Sequence, residues 1–285
     1  MEPISEIFDT VGAAILATFL LMFFFAESQS PLRHRVQKRW QRIFINIGVA
    51  IPSFALLRLL LIPAMVWIAH ENQHIHFGLN YLYDAPGWIK GCVAFLILDY
   101  SNYLWHVLNH KIPFLWRFHL VHHTDRDLDL STAFRFHFGE LIFSVFFRGL
   151  AVFLTGASPL TVLVYEIFFE AATQFHHSNL KLPFRFEKAL NKLVVTPRMH
   201  GIHHSVIRQE TDSNYSVIFS CWDRLHRSIR LNIPQKQIVI GVAVYPDKKE
   251  LTTWYLLKLP FTRIRAWKDE MRMEVVKGER DEMRK

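Results

Sequence analysis

The chain has 285 residues, of which 51% are hydrophobic and 25 are phenylalanine, and its formal net charge is +8. This apolar content exceeds that of an average soluble domain and favours a membrane protein with several apolar helices. Two cysteines exclude a disulfide framework and a cysteine-based zinc site. No nucleic-acid-binding motif accompanies the positive charge, so we expect no nucleic-acid partner and attribute the charge to basic loops beside a membrane.

Several apolar segments approach the roughly 20 residues that a helix needs to cross a bilayer. Pro52 and Pro63 are expected to kink the second of them. The turn-like sequence "GASP" separates the last two, which are expected to form a hairpin. The pattern predicts an all-α integral membrane protein with about four to five transmembrane or hairpin helices, at 8–27, 44–69, 88–108, 138–156 and 159–176.

The distribution of charge predicts the orientation of these helices. The loop after the first segment reads "RHRVQKRWQR", which is typical of a cytoplasmic loop, whereas residues 70–87 contain no Lys or Arg. Counting crossings from there places every histidine-rich segment, and the chain from 177 onward, on the cytoplasmic side. We therefore predict a multi-pass protein of the bacterial inner membrane or endoplasmic reticulum, with a cytoplasmic helical cap.

Three short histidine motifs lie in that cap. "HLVHH" (119–123) and "HGIHH" (200–204) share one spacing, and "HVLNH" (106–110) places two histidines one helical turn apart. Neutral imidazole is a common ligand of iron, zinc and copper. Eight histidines are enough to surround two metal ions and too many for one, which predicts a dinuclear site formed by His106, His110, His119, His122, His123, His200, His203 and His204.

Other polar residues are expected near this site. Asp99 lies on the same helical face as His106 and is a candidate acceptor for a ligand's second ring N–H. His176 and His177 end the second arm of the hairpin, and His137 begins the first arm near Glu140. Histidines that stand apart from the motifs are interpreted as ordinary structural residues: His34, His70, His74, His76 and His226.

The type of metal chemistry follows from what the motifs lack. A hydrolytic zinc site of the H-E-x-x-H type carries a glutamate between its histidines, and neither box has one. An all-nitrogen dinuclear site suits non-haem iron that activates O₂ to attack a lipid C–H bond. Two alternatives stay open, namely a zinc-dependent membrane hydrolase that uses the same histidines and a non-catalytic metal-binding membrane protein.

The sequence resembles the fatty acid hydroxylase/sterol desaturase superfamily of membrane di-iron enzymes over residues 94–225. The resemblance is carried by "DYSNYLWHVLNH", "LWRFHLVHHTDRDLDLSTAFRFHFGE", "FHHSNL", "VTPRMHGIHHS" and "DSNYSVIFSCWDRL". It implies that the eight histidines bind iron and adds His177 as a ninth ligand. His137 and His176 are implied as supporting residues or extra ligands, and Asn214 with Trp222 and Asp223 as part of the site wall.

The resemblance further implies two irons, O₂ as co-substrate and a lipid substrate that is hydroxylated or desaturated. No G-x-G-x-x-G motif is present, so electrons are expected from a partner protein or a reduced pterin. The implied domains are N-terminal transmembrane helices (1–93), the catalytic domain (94–230) and a cytoplasmic segment with a membrane-surface helix (231–285). The chain departs from the family pattern at Phe138, where proline is usual, and at "WDRLHRS", where W-D-x-L-F-G-T is usual.

Overall fold

The computed structural model describes residues 8–267. Residues 1–7 of the predicted N-terminal domain and residues 268–285 of the predicted C-terminal segment lie outside the described residues. The described part is helical and contains no strand, only isolated bridges, which confirms the all-α prediction. Its α-helices, in chain order, are α1 (Ala13–Gln29), α2 (Arg39–Leu56), α3 (Ile62–Ile75), α4 (Gly87–Lys111), α5 (Pro113–His123), α6 (Phe138–Thr155), α7 (Pro159–His177), α8 (Phe184–Leu190), α9 (Pro197–His203), α10 (Arg208–Thr211), α11 (Cys221–Leu225) and α12 (Thr253–Lys258).

Between residues 8 and 267, three helical stretches are long and apolar enough to cross a membrane: Thr10–Gln29, Arg39–Tyr81 and Phe138–Thr155. Large apolar side chains such as Phe44, Phe54 and Leu59 point away from the protein on the second stretch. These features mark the chain as a membrane protein. Helices α4 and α7 form where further spans are predicted, and their placement in the membrane stays a prediction.

Regular α-helix is interrupted between the two prolines of the second apolar segment. A π-helical turn, Leu57–Leu61, begins five residues after Pro52 and ends two residues before Pro63. Proline cannot donate the usual backbone hydrogen bond to the carbonyl four residues earlier, so a local change of helical pitch is favoured there. The two prolines therefore divide this segment into α2 and α3.

The hairpin of α6 and α7 turns where "GASP" predicted. Gly156 ends α6 with φ at +65°, a conformation that glycine adopts without strain. The Ser158 hydroxyl accepts from the backbone N–H of Thr161 and so caps α7. This tight turn packs α6 and α7 against α3 and α4 around an apolar core that includes Leu61, Met65, Ala94, Leu98, Val152, Val162 and Tyr165.

A buried ion network attaches α2 to the loop that follows α5. Arg42 donates to Asp125 at 2.8 Å and to both carboxylate oxygens of Asp129 at 2.7 and 2.8 Å. Asn46 donates to Asp125 and accepts from Arg135, which in turn donates to the carbonyl of Val121. This network is almost completely buried, so it fixes the end of α5 against the first half of the chain.

Candidate metal centre

All nine histidines expected as ligands are buried, and they fall into two groups. Within each group, one ring nitrogen from every member lies within 4.8 Å of the others. The five-histidine group consists of His106, His110, His119, His123 and His203. The four-histidine group consists of His122, His177, His200 and His204. The structure thus brings together residues from four helices and separates them into two adjoining clusters.

Each H-x-x-H-H box contributes to both groups. In α5 the pair one turn apart, His119 and His123, belongs to the five-histidine group, and His122 belongs to the other. In and just after α9 the assignment is reversed, because His200 and His204 join the four-histidine group while His203 joins the five. Residues i and i+4 of a helix project in nearly the same direction, whereas residue i+3 projects about 60° from residue i on the other side of it. One box can therefore supply ligands to two neighbouring groups.

Backbone carbonyls orient two members of the five-histidine group. His106 Nδ1 lies 2.7 Å from the carbonyl of Tyr215, and His203 Nδ1 lies 2.7 Å from that of Ser213. A carbonyl can only accept, so both Nδ1 atoms carry the hydrogen and each Nε2 presents a lone pair. That is the tautomer in which Nε2 binds a metal.

A carboxylate orients a third member of this group. His119 Nδ1 lies 3.1 Å from both oxygens of Glu140, which stands in the first turn of α6. A carboxylate in this position raises the basicity of the opposite ring nitrogen and fixes the ring plane. The sequence placed Glu140 near the site but did not reveal this function, because the two residues lie 21 positions apart on different helices.

The ring nitrogens of the four-histidine group converge. The Nε2 atoms of His122 and His177 are 3.0 Å apart, as are those of His177 and His200, and those of His200 and His204 are 3.1 Å apart. His177 Nδ1 faces the carbonyl of Thr173 at 2.8 Å, so its Nε2 carries a lone pair toward its neighbours.

Buried nitrogens without a hydrogen-bond partner indicate that these groups fit metal ions. Within the described structure, Nε2 of His106, His110, His119 and His203 has no such partner, nor has either ring nitrogen of His123. Buried polar atoms are normally hydrogen-bonded, since leaving one unpaired costs about 1–3 kcal/mol. Lone pairs that converge without donors are what a metal site requires.

Burial keeps five of the ligand histidines, all on α5 or in the last histidine box, uncharged. Desolvation, with neighbouring histidines second, lowers the pKa of His122, His123, His200 and His204 well below the ordinary value. Desolvation also lowers the pKa of His203 to about 3. Neutral imidazole is the form that binds metals, so at neutral pH these rings need not lose a proton first.

Two of the other candidate residues have partners other than a metal site, and a third lies beside the four-histidine group. Asp99 accepts from the Trp222 indole at 2.7 Å and from the backbone of Phe219, rather than from a ligand histidine. His137 uses both ring nitrogens in the protein, accepting from Gly139 N–H at the start of α6 and facing the carbonyl of Leu257. His137 therefore caps a helix. His176 belongs to neither group, although its ring lies 4.1 Å from that of His200.

Asn214 supports the five-histidine group through the backbone. Its φ of +56° lies in the left-handed region, which asparagine tolerates better than most residues. Its side chain donates to the carbonyls of Met199 and Arg230 and accepts from the N–H of Arg230. The residues on either side, Ser213 and Tyr215, supply the carbonyls that orient His203 and His106, so Asn214 fixes both acceptors.

A cavity opens onto both groups. Its wall includes His106 and His119 from the five-histidine group, and His122, His177 and His200 from the four. The remaining wall combines four apolar side chains with five polar ones, and it is formed by Asn102, Trp105, Asn109, Phe136, Glu140, Phe169, Thr173, His176 and Val217. The surface that these residues expose to the cavity is mostly apolar. A cavity with such a surface and with convergent ligand atoms is the usual form of a small-molecule site.

Comparison with known proteins relates the histidine-rich part of the chain to a protein family. Residues 91–228, which contain all nine histidines, match the fatty acid hydroxylase family. This stretch, which is just under half of the chain, is similar to that family. The superfamily resemblance read from the histidine motifs is thereby confirmed. No solved structure matches the chain at a significant level.

The chain has curated relatives that carry enzyme names. It is 30% identical over 154 residues to a cholesterol 25-hydroxylase-like protein of Danio rerio, covering 52% of this chain and 59% of that protein. It is 31% identical over 158 residues to the ornithine lipid hydroxylase OlsE of Rhizobium tropici, covering 54% and 45%. It is 31% identical over 159 residues to the alkylglycerol monooxygenase of Homo sapiens, covering 54% and 33%. The match spans between a third and three fifths of these proteins.

Proposed function

We propose that the chain is a membrane-bound, O₂-dependent di-iron enzyme that hydroxylates a lipid C–H bond. The observation that carries this proposal is the pair of adjoining all-histidine groups that open onto one mostly apolar cavity. The match to fatty acid hydroxylases over the same residues supports it. In this assignment all nine histidines are ligands, while Glu140 and Asn214 hold them in position.

The donor set supports iron over zinc. Both groups consist of imidazole nitrogens alone, and neither H-x-x-H-H box contains an acidic residue. An all-nitrogen set of this kind suits non-haem iron, whereas a hydrolytic zinc site of the H-E-x-x-H type carries a glutamate between its histidines.

Two irons, when bound, supply the activation of O₂, with overall balance R–H + O₂ + 2 e⁻ + 2 H⁺ → R–OH + H₂O. The protein's own contribution is to hold the rings in the metal-binding tautomer and to line the reaction space with apolar groups such as Trp105, Phe136 and Phe169. Those walls exclude water and position a hydrocarbon segment beside both groups. Both electrons come from an external donor protein or small reductant.

The substrate class follows from the relatives and from the cavity. The three named relatives are hydroxylases or monooxygenases, which favours hydroxylation over desaturation. Their names indicate different substrates, but cholesterol, ornithine lipid and alkylglycerol are all lipids. The cavity lies where α4 and α7 end, beside the apolar helices, so a membrane lipid is the substrate that reaches it most directly. We place this end at the cytoplasmic face because of the basic loop after α1.

Isotope labelling tests the proposal. Membranes containing the wild-type protein are supplied with ¹⁸O₂ and compared by lipid mass spectrometry with membranes containing His204→Ala or His34→Ala. We expect one lipid species to gain a single ¹⁸O atom with the wild type and with His34→Ala, since His34 is exposed and outside both groups. His204→Ala should abolish the product.

Other outcomes would reassign the function. A purified protein that holds zinc and cleaves an ester or amide without consuming O₂ would establish the hydrolase alternative. A protein that binds two metals and changes no lipid under either condition would favour a non-catalytic metal-binding function.

A further inference from the structure

The loop between α1 and α2 contacts two of the segments that carry the four-histidine group. This loop lies outside the region matched to the fatty acid hydroxylase family. Its residue Pro31 pairs with Leu180, and Leu32 N–H donates to the carbonyl of Asn179 at 2.7 Å. Asn179 follows His177 by two residues, so the loop is attached directly beside one member of the group.

Arg33 makes the connection from both its backbone and its side chain. Its N–H donates to the Asn179 side chain, which donates back to the Arg33 carbonyl, both at 2.9 Å. Its guanidinium Nη2 donates to the carbonyl of Pro197 at 2.6 Å and to Gln235 at 2.7 Å. Pro197 begins α9, the helix that carries His200 and His203. One residue thus joins the end of α7 to the start of α9.

The guanidinium also lies against Gly201, between two ligands in the last histidine box. A β-carbon at position 201 would lie 1.7 Å from Arg33 Nη2, so only glycine leaves room for this packing. This explains why the box reads H-G-I-H-H: the glycine lets an arginine from the N-terminal third of the chain pack on the ligand helix.

Stability alone does not account for the way Arg33 is placed. Its Nε and Nη1 atoms are buried without a hydrogen-bond partner in the described structure. Desolvation lowers the pKa of this arginine to about 9. Burying such a group with part of its donors unpaired is unfavourable. The bonds it does make all fix the segments around the four-histidine group relative to one another.

We infer that Arg33 is a positioning residue for the metal held by the four-histidine group. It sets the separation between His177 on α7 and the His200–His204 pair, and it acts on the five-histidine group only weakly. This inference rests on the proposed function insofar as the histidines hold two metals. It extends the metal centre to a part of the chain that the family match does not include.

The test measures metal loss from the purified full chain. The wild type, Arg33→Gln and the control Lys38→Gln are loaded with iron, and its release to a chelator is followed in time. Lys38 lies in the same loop and is exposed, so its substitution removes the same charge without touching either segment. We expect Arg33→Gln to speed one of two release phases at least tenfold, and Lys38→Gln to leave both phases unchanged. His200→Ala assigns the phase, because it should lack the one that Arg33→Gln accelerates.

A second variant covers the case in which Arg33→Gln does not fold. Gly201→Ala should displace the guanidinium and accelerate the same phase. Where Arg33→Gln does fold, combining it with Gly201→Ala should add little. Equal acceleration of both phases, or of neither, would overturn the inference, as would a wild type that holds no metal. A wild type that holds two metals but oxidises no lipid would end the proposed function, while the release phases would still decide the role of Arg33.

Discussion

His203 and His204 are neighbours in the chain but belong to different metal groups. Their ring planes are inclined at 81° to each other, with centroids 5.4 Å apart. His122 and His123 show the same relationship, at 87° and 5.4 Å. Because adjacent histidines point nearly at right angles to each other, each box supplies ligands to both groups. A mutation of one neighbour should therefore affect one group and leave the other intact.

Replacing these two neighbours one at a time should therefore remove different metals. His203→Ala takes one ligand from the five-histidine group, and His204→Ala takes one from the four. We expect each variant to hold about one metal ion per chain by elemental analysis, and the double variant to hold none. Activity should fall at least 100-fold in each, because both metals are needed. Retention of two metals by either single variant would contradict the division.

Glu140 should tune the five-histidine group through His119. Removing the carboxylate that orients a ligand histidine typically lowers metal affinity about 10–100-fold. We expect Glu140→Ala to show that loss in a competition titration, with release confined to one metal. Glu140→Gln keeps an oxygen that accepts from His119 Nδ1 and should lose less affinity. If both variants bound metal as the wild type does, the hydrogen bond would have no role in positioning.

The backbone at position 214 predicts a difference between two substitutions. Alanine and glycine both remove the Asn214 side chain, but only glycine adopts a φ of +56° without strain. We expect Asn214→Ala to be less stable than Asn214→Gly by about 1–2 kcal/mol, measured by denaturation in detergent. The two carbonyls beside it should shift in the alanine variant, with weaker metal binding. Equal stability of the two variants would show that backbone conformation here is unimportant.

Stability of the metal-free protein should fall in acid. Burial lowers the folded pKa of His122, His123, His200 and His204 below the ordinary 6.5, and it lowers that of His203 to about 3. Between those values the unfolded chain binds more protons, so the free energy of unfolding decreases as the pH drops below 6.5. The expected slope is about 1.4 kcal/mol per pH unit for each such histidine.

Thermal unfolding at several pH values measures this effect. These histidines should leave the midpoint temperature of unfolding nearly constant between pH 7 and 8. They should make it decrease steeply from pH 6.5 to 4.5. A midpoint that rises or stays level over that acid range would mean that these rings are not buried and neutral in the folded protein.

The sequence predicted the helices and the convergence of the histidines, because both depend on local periodicity. Apolar runs predicted α1, α2, α3, α6 and α7, and the spacing within each box predicted that its three rings, at i, i+3 and i+4, share one helical face. The division of each box between two groups was not predictable, since it depends on how α5 and α9 approach each other. The partner of Asp99 was not predictable for the same reason: Trp222 lies 123 residues away.

The basic loop shows a further limit of reading charge from sequence. Its arginines were interpreted as a marker of the cytoplasmic side. In the structure Arg39 pairs with Glu27 and Arg42 pairs with Asp125 and Asp129, while Arg33 packs on Gly201. The same residues thus connect the N-terminal helices to the metal centre, and a one-dimensional pattern does not show which carboxylate or helix each arginine meets.

The identity and number of bound metals test the central claim most directly. The full chain is purified without added metal, and iron and zinc are counted per chain alongside O₂ consumption in the presence of membrane lipid and a reductant. The di-iron assignment predicts about two irons per chain, little zinc, and O₂ uptake that His203→Ala and His204→Ala both abolish. A chain that holds one zinc, or no iron, and consumes no O₂ would contradict it.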